Sequence, residues 1–141
     1  MYQFIQNWKN VAGDGNCGFR VVSNFLFGDE NHWVEIRRRM IFDLRHHMRV
    51  YEQLFRSVER VTELIMQTNW EDGSAPRGYW INTPDHLYVI TNTFNLCVLI
   101  DGCPLPPLHV QWEYHRDKRF SGWKCIHHRD ILCNNVATCN L

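Results

Sequence analysis

A short segment at residues 14–20, with the sequence D-G-N-C-G-F-R, constrains this chain more than any other. It places Cys17 between a glycine-bearing turn and the start of an apolar pattern with helical spacing. At the first turn of a helix, backbone N–H groups and the positive end of the helix dipole favour an anion, and thiolate is the nucleophilic form of cysteine. The segment therefore predicts a cysteine hydrolase with Cys17 as its nucleophile.

The composition of the turn and of the following residues suits this prediction. Gly15 and Asn16 are the residue types that best tolerate a left-handed backbone, which a turn of this kind often needs. Gly28 is well placed to end the helix that begins near Cys17. The apolar face predicted for this helix consists of Val21, Val22, Phe25 and Leu26.

The same segment resembles the nucleophile signature of the ovarian-tumour (OTU) cysteine proteases, in which D-G-N-C precedes a small residue, an aromatic residue and arginine. The resemblance covers residues 8–100 and includes the opening of a second helix at residues 33–37. It implies an α/β (α+β) papain-like fold in which helices flank a small central sheet. We expect a single domain over residues 1–141, because a chain of this length with 45% hydrophobic residues suits one compact core.

The resemblance also implies roles for the residues of the turn. Cys17 and Asp14 are assigned to the catalytic site, where Cys17 would attack a carbonyl carbon and backbone N–H groups around both residues would form the oxyanion hole. Gly15 and Asn16 would shape the oxyanion turn. The implied partner is ubiquitin or a ubiquitin-like protein, in chains or conjugates that are cut at an isopeptide bond. The implied chemistry needs no cofactor.

Apolar periodicity predicts further elements along the chain. A short strand is expected at residues 3–5, a second helix at 32–50 and a third at 51–66, with an exposed connection at 69–79. The sequence T-P-D at residues 83–85 predicts the start of another helix, with threonine as its N-cap. The buried positions expected in these helices are Trp33, Ile36, Met40, Leu44, Leu54, Val58, Val61, Leu64 or Ile65, Leu87, Ile90 and Phe94.

A buried central strand is predicted at residues 95–100, and the sequence beyond it departs from the OTU pattern. In OTU domains the catalytic histidine follows this strand, on a strand of its own. Here three prolines in the sequence C-P-L-P-P exclude a central strand, and residues 103–116 resemble a later segment of OTU-like domains related to plant transposon-derived sequences. The histidine-bearing strand is then missing between Ile100 and Asp101. This predicts a truncated sheet with an unpaired edge, which favours association.

The histidine base for Cys17 is therefore unknown from the sequence, although such a nucleophile needs an imidazole within hydrogen-bond reach. His109 is the first candidate, because residues 108–112 alternate as a strand does. The second candidates are a pair with an orienting acid or amide nearby, namely His127 and His128 with Asp130 or Asn134. The remaining histidines are expected to be solvated or to cap helices, and these are His32, His46, His47 and His86.

The charge of the chain gives no electrostatic reason to expect nucleic acid or an anionic membrane as a partner, because 15 basic and 15 acidic residues cancel. The run of arginines at residues 37–39 is expected to form a solvated helix face. No apolar stretch approaches the length of about 20 residues that is needed to span a bilayer, and the N-terminus shows no secretory signal. We therefore expect an intracellular protein, cytoplasmic or nuclear, with its six cysteines reduced.

Cysteines and histidines near the C-terminus raise the separate question of a metal site. Their spacing matches no standard zinc pattern, so we expect no metal. The residues concerned are Cys125, His127, His128, Cys133 and Cys139.

Two functions remain open at this point. The first is an active thiol protease of the deubiquitinase type, with Cys17 as nucleophile. The second is a catalytically impaired OTU pseudoenzyme or transposon-derived remnant, which would at most bind ubiquitin or another protein through the old substrate surface. A histidine close to Cys17 would distinguish the two.

Overall fold

The structure is a computed structural model that describes residues 11–82, 84–100, 103–105, 107–108 and 125–127. Its described part is mainly helical. The helices are α1 (Cys17–Phe27), α2 (Trp33–His46), α3 (Met48–Phe55), α4 (Val58–Thr68) and α5 (Asp85–Phe94), with short 3-10 helices at Glu30–His32 and Arg77–Tyr79. The strands are β1 (Cys97–Ile100), β2 (Cys103–Leu105) and β3 (Cys125–His127).

The three strands form one small sheet in the order β2-β1-β3. Strand β1 pairs antiparallel with β2 and parallel with β3, and Val98 lies opposite Leu105 on one side and Ile126 on the other. The strand predicted at residues 95–100 is confirmed, although it begins at Cys97 rather than at Asn95. The prediction that β1 would have an unpaired edge is wrong, because β3 pairs with its second side. Pro104 lies in β2, at the edge of the described sheet, where a missing N–H is tolerated.

The expected fold class is only partly supported by this architecture. An α/β layering with a central sheet is not confirmed, because helices form most of the described chain and the sheet has short strands. The expected strand at residues 3–5 lies outside the described residues. Among the described residues, no helix has the length and apolar character to cross a membrane.

Helix α1 has the predicted position and the predicted end. Gly28 adopts a left-handed conformation with φ 70°, and its N–H donates to the carbonyl oxygen of Asn24 at 2.9 Å. Of the predicted apolar face, Val22 is buried, and the three other residues pack against the core in partly buried positions. Cys17 is therefore held at the start of a helix that is anchored in the core.

The core lies between α1, α2, α4, α5 and β1. The predicted buried stripe of α2 is confirmed, because Trp33, Ile36, Met40 and Leu44 are all buried. Helix α5 also presents the predicted face, with Leu87 and Ile90 buried and Phe94 partly buried. The other helices add Phe19 and Val22 from α1 and Val61 and Leu64 from α4.

The two helices predicted at residues 32–50 and 51–66 are wrong in their boundaries, because the chain forms three helices there. Helix α2 ends at His46, and α3 ends where Arg56 adopts a left-handed conformation with φ 55°. Ser57 then begins α4 as its N-cap, and its side-chain oxygen accepts a hydrogen bond from the N–H of Arg60 at 3.1 Å. The prediction that Val58 is buried is wrong, because this first residue of α4 is exposed.

Helix α5 begins one residue later than the T-P-D sequence suggests. Pro84 immediately precedes the helix, and Asp85 is its first residue and supplies the acid in the first turn. Thr83, the expected N-cap, lies outside the described residues.

Candidate functional site

Cys17 is the first residue of α1, as the sequence predicts, and it is fully buried. It is a thiol rather than half of a disulfide. The first hydrogen bond of the helix runs from the N–H of Arg20 to the carbonyl oxygen of Asn16 at 2.8 Å. Since the earliest N–H groups of a helix have no partner within it, the Cys17 end of α1 provides donors and a positive dipole end.

Gly15 makes the turn before Cys17 in a conformation that other residues rarely adopt. Its φ is +80°, and a Cβ atom there would lie 2.2 Å from the carbonyl oxygen of Ala75 and 2.5 Å from Nε1 of Trp80. The prediction of a left-handed backbone is confirmed for Gly15. It is wrong for Asn16, whose φ is −98°.

The side chain of Asp14 links the loop before Cys17 to helix α1. Its carboxylate accepts hydrogen bonds from Arg20, through Nη2 at 2.8 Å and Nε at 3.2 Å, and from the N–H of Asn16 at 3.1 Å. Burial raises the pKa of Asp14, but the hydrogen bonds from Arg20 and Asn16 outweigh it and the pKa lies below its ordinary value. The side chain of Asp14 is thus an ionised group that stabilises the turn.

The side chain of Asn16 is completely buried and joins three parts of the molecule. Its Nδ2 donates to the carbonyl oxygen of Gly73 at 2.9 Å and to Asp14 at 3.3 Å. Its Oδ1 accepts from Arg37, through Nη2 at 2.8 Å and Nε at 3.2 Å. Asn16 therefore shapes the turn through its amide group and not through an unusual backbone conformation.

Arg37 is buried, so the prediction of a solvated face for the three consecutive arginines is wrong at this position. Arg38 and Arg39 do face solvent, where they form ion pairs with Glu71 and Glu35. Residues along a helix are about 100° apart in direction, so neighbours need not share an environment. A signal was present in the spacing, because Arg37 follows Trp33 by four residues and precedes Met40 by three, on the buried side of α2.

The guanidinium of Arg37 donates to three residues from different segments. Besides Asn16, it donates to the carbonyl oxygens of Thr68 at 3.2 Å and Tyr79 at 2.9 Å, and its Cζ lies 3.7 Å from the ring centre of Phe19. Burial lowers the pKa of Arg37 to about 9, while the charges of Asp14 and Cys17 act to raise it. Arg37 therefore remains a cation at neutral pH.

The segment at residues 70–80, here called the covering segment, packs over the turn. The Ala75 N–H donates to the carbonyl oxygen of Asp14 at 2.7 Å, and Nε1 of Trp80 donates to the carbonyl oxygen of Ala75 at 2.9 Å. Gly73 and Tyr79 contribute the carbonyl oxygens that bind Asn16 and Arg37. The prediction of an exposed connection at residues 69–79 is confirmed for most of these residues, including Gly73, but it is wrong for Ala75, which is buried against the turn.

A cavity of about 390 Å³ lies beside the covering segment. Trp80 lines this cavity and also contacts the Gly15 turn, so the open space adjoins the candidate site. The side-chain oxygen of Gln67 is buried there without a hydrogen-bond partner among the described residues. The remaining lining residues are Arg77, Gly78, Ile81 and Asn82.

His86 was expected to be solvated or capping, and the expectation of a solvated side chain is wrong because the residue is fully buried. Its Nδ1 accepts a hydrogen bond from the N–H of Asn82 at 2.6 Å, and its Nε2 lies 3.0 Å from Oγ1 of Thr68. Since the Thr68 hydroxyl already donates to Leu64 at 2.6 Å, Nε2 of His86 carries the proton. The pKa of His86 is lowered to about 3, mainly by burial; the hydrogen bond with Asn82 opposes this shift, and the charges of Arg37 and Arg60 add to it.

His86 is consequently neutral, with both ring nitrogens engaged, and does not serve as a base for Cys17. The three other histidines expected on the surface, His32, His46 and His47, are exposed as predicted. The candidate bases His109 and His128 lie outside the described residues, as do Asp130 and Asn134. His127 lies in β3, where its backbone is opposite Leu99, and its side chain is outside the description. The identity of the base therefore stays a prediction.

The possible metal ligands near the C-terminus also lie largely outside the described residues. Within the part of the chain that the structure describes, no group of three or more histidine, cysteine or acidic residues could hold a metal ion.

Comparison with models of known protein families gives a match to part of the chain. Residues 10–78 match the family model described as "Vertnin, OTU domain". The matched range contains the whole turn, helices α1 to α4 and most of the covering segment, and it ends before α5 and the sheet. Neither the curated proteins nor the solved structures give a significant match. The match supports an OTU-family domain over the matched range, while the resemblance to plant transposon-derived sequences is not shown.

Proposed function

We propose that this chain, which contains an OTU-family domain, is a thiol hydrolase in which Cys17 attacks the isopeptide bond of a ubiquitin conjugate. The observation that carries the proposal is the placement of Cys17 as the first residue of α1, next to a turn in which the side chains of Asp14 and Asn16 are fixed by hydrogen bonds. Asp14, Asn16 and Arg37 form one connected set of hydrogen bonds around the turn. Such preorganisation is what a nucleophile turn needs.

The reaction follows from this placement. The Cys17 thiolate adds to the carbonyl carbon, and N–H groups near Asp14 and Cys17 stabilise the resulting oxyanion, each by about 3 kcal/mol. The lysine amine leaves with a proton from an imidazolium, which yields a thioester on Cys17. Water then adds to the thioester with the imidazole as base, and the carboxylate product leaves as the thiol reforms. The proposed base is His109 or one of His127 and His128.

The burial of Cys17 adds a requirement to this mechanism. A carbonyl carbon reaches the sulfur only after surrounding groups move, because the side chain is fully buried. Trp80 and Ala75 lie against the turn and belong to the covering segment, so this segment is the one we expect to shift when substrate binds.

The second candidate function is a non-catalytic module that binds ubiquitin or another protein through the same surface. The observation that favours it is the full burial of Cys17. In addition, both ring nitrogens of His86, which is a buried histidine, are already engaged in hydrogen bonds. A protein of this kind would keep the turn as a structural element. It would retain the partner without the cleavage.

Hydrolysis of isopeptide-linked diubiquitin separates these functions. We expect the wild type to cleave the substrate, Cys17→Ala to abolish cleavage, and Cys97→Ala to leave it intact, because Cys97 is a second buried cysteine that lies on β1. Parallel variants His109→Ala, His127→Ala and His128→Ala identify the base, since removal of only one should cost about 100-fold or more in rate.

The outcomes that contradict the hydrolase are equally distinct. If a folded wild type cleaves nothing but binds ubiquitin saturably, the non-catalytic module is correct. If it neither cleaves nor binds ubiquitin, the hydrolase proposal is wrong, and a binding module would have to act on a protein other than ubiquitin. If Cys17→Ala cleaves as well as the wild type does, Cys17 is not the nucleophile.

A further inference from the structure

Arg37 is a buried cation whose contacts are all with uncharged groups. Its hydrogen bonds go to the side-chain oxygen of Asn16 and to the backbone oxygens of Thr68 and Tyr79. None of the ion pairs found among the described residues includes Arg37. A buried charge without a contacting counter-charge is costly, and proteins retain such charges mainly where they serve a site.

We propose that Arg37 is the positioning residue of the nucleophile turn and that its charge favours the thiolate form of Cys17. The proposal deepens the hydrolase function proposed above and rests on it. Its first support is geometric, because the fork of Arg37 holds Oδ1 of Asn16 with two donors, at 2.8 and 3.2 Å, and Asn16 directly precedes Cys17 in the chain. The planar guanidinium fixes both the position and the orientation of this amide.

The second support is electrostatic. The charges of Asp14 and then of Cys17 act to raise the pKa of Arg37. Because the interaction between two charges is reciprocal, the Arg37 cation in turn favours the thiolate of Cys17. The ring of Phe19 lies 3.7 Å from the Arg37 guanidinium and shields one of its faces from water. His86, on the neighbouring helix α5, is neutral and therefore adds no positive charge that would compete with that of Arg37. In a water-excluded region the field of Arg37 is screened little.

On the turn side two carboxylates share one arginine, which leaves one negative charge in excess that opposes a thiolate. Asp14 carries a negative charge that disfavours a thiolate nearby, but Arg20 neutralises it through an ion pair at 2.8 Å. Glu30 lies 3.8 Å from the same arginine. Among the described residues, Asp14, Arg20 and Glu30 thus form one ion-paired group, and Arg37 on α2 is a cation outside that group whose charge offsets its excess.

The wild-type protein provides the first test. The Cys17 thiol is followed by its ¹³Cβ signal in cysteine-labelled protein, which is assigned by comparison with Cys17→Ser. Burial of the sulfur raises this midpoint and the charge of Arg37 lowers it. The proposal requires the charge to prevail, so half-ionisation should lie below the value of about 8.5 for an ordinary cysteine. A midpoint at or above that value overturns the proposal, and this readout depends neither on ubiquitin nor on access of a reagent to the buried sulfur.

Variants of Arg37 provide the second test. Arg37→Met should raise the midpoint for Cys17 by about one pH unit or more, as expected on loss of a nearby opposite charge. Arg37→Lys keeps the charge and should stay near the wild-type midpoint. Arg39→Met is the matched control, because Arg39 lies on the same helix with an exposed partner, Glu35, and it should change nothing.

The result that overturns the proposal is a folded Arg37→Met protein with the wild-type midpoint. If Arg37→Met does not fold, the wild-type midpoint and Arg37→Lys decide, and a raised midpoint in Arg37→Lys contradicts a role for the charge. A depressed midpoint without any cleavage of diubiquitin supports the role of Arg37 and contradicts only the hydrolase. Cleavage of diubiquitin together with an ordinary midpoint supports the hydrolase and contradicts the role of Arg37.

Discussion

Gly15 is the residue at which the geometry of the turn leaves the least freedom. The backbone has φ +80°, and the carbonyl oxygen of Ala75 occupies the place that a Cβ atom would need. Two independent constraints therefore act at one position, a backbone conformation and a close approach of another segment. Gly28 and Gly78 lack one or both of these constraints, which makes them natural controls.

We expect Gly15→Ala to lower the free energy of unfolding by about 2 kcal/mol or more, because it combines left-handed strain with a steric clash. Gly28→Ala, at φ +70° in open space, should cost about 1 kcal/mol. Gly78→Ala should stay within about 0.5 kcal/mol of wild type. Urea unfolding monitored by tryptophan fluorescence measures all three, and equal losses for Gly15→Ala and Gly28→Ala would show that the clash is relieved.

Residues with a local signature were predictable from the sequence, and those defined by their three-dimensional partners were not. Cys17 and the glycines at 15 and 28 follow from turn and helix chemistry alone. The burial of Arg37 depends on a backbone oxygen 42 positions away in the chain, at Tyr79. The burial of His86 likewise depends on Thr68 of another helix.

At the scale of elements, the chain uses left-handed residues to end helices. Besides Gly28, the ends of α3 and α5 place Arg56 at φ 55° and Asn95 at φ 51°. Asparagine tolerates this conformation because its short polar side chain bonds locally, whereas arginine has no such compensation. The end of α3 is therefore strained, which is consistent with a sequence pattern that predicts a continuous helix across it.

We expect Arg56→Gly to stabilise the protein by about 0.5–1 kcal/mol, since glycine removes the left-handed strain at an exposed position. Asn95→Gly is the matched control and should give little or no gain, because asparagine already fits and glycine adds freedom to the unfolded chain. Chemical unfolding of both variants provides the comparison. A loss of stability in Arg56→Gly would mean that the arginine side chain makes a contribution that outweighs the strain.

The elements with strong periodicity were predicted well, and the boundaries between them were not. The apolar pattern of α2 continues in phase towards α3 and α4, so the pattern alone does not reveal the breaks at His47 and Ser57. The covering segment presents glycine, serine and proline, which predict a connection but not the groups that its backbone binds. Its contacts with Asp14 and Arg37 arise only when distant segments meet.

For the whole molecule, buried polar groups link the helices across the core. Thr68 of α4 binds both Arg37 of α2 and His86 of α5, through its carbonyl and its hydroxyl oxygen. His86 is neutral in the folded protein, with a pKa of about 3, but titrates near 6.5 when the chain is unfolded. Between these values the unfolded chain binds the additional proton, so acid favours unfolding.

We expect the contribution of His86 to stability to be complete above about pH 6.5 and to fall as the pH drops towards 3, by at most about 1.4 kcal/mol per pH unit. His86→Gln should be less stable at pH 7, because the hydrogen bonds of the imidazole with Asn82 and Thr68 are disturbed. Its stability should nevertheless decline less steeply between about pH 6.5 and 4. His46→Gln, at an exposed position, should keep the wild-type slope. Parallel profiles for the wild type and His86→Gln would contradict the neutral, buried state of His86.

The OTU resemblance of residues 10–78 was predictable from one short turn, but the catalytic status of the molecule was not. The residues of the turn are adjacent in the sequence, whereas the general base must come from a distant segment that approaches Cys17 only in the folded chain. The candidates for this base lie between His109 and His128. The proline-containing segment after β1 removes the sequence context by which that histidine is usually found. The placement of Cys17 therefore carries the functional proposal.

The most direct measurement is the reaction of the folded protein with a ubiquitin probe that bears a thiol-reactive electrophile at its C-terminus, followed by mass mapping of the adduct. We expect one adduct, on Cys17 among the six cysteines, with no adduct in Cys17→Ala and full labelling in Cys97→Ala. An adduct on another cysteine, or none from a folded protein, would contradict the assignment of Cys17 as the nucleophile that acts on ubiquitin.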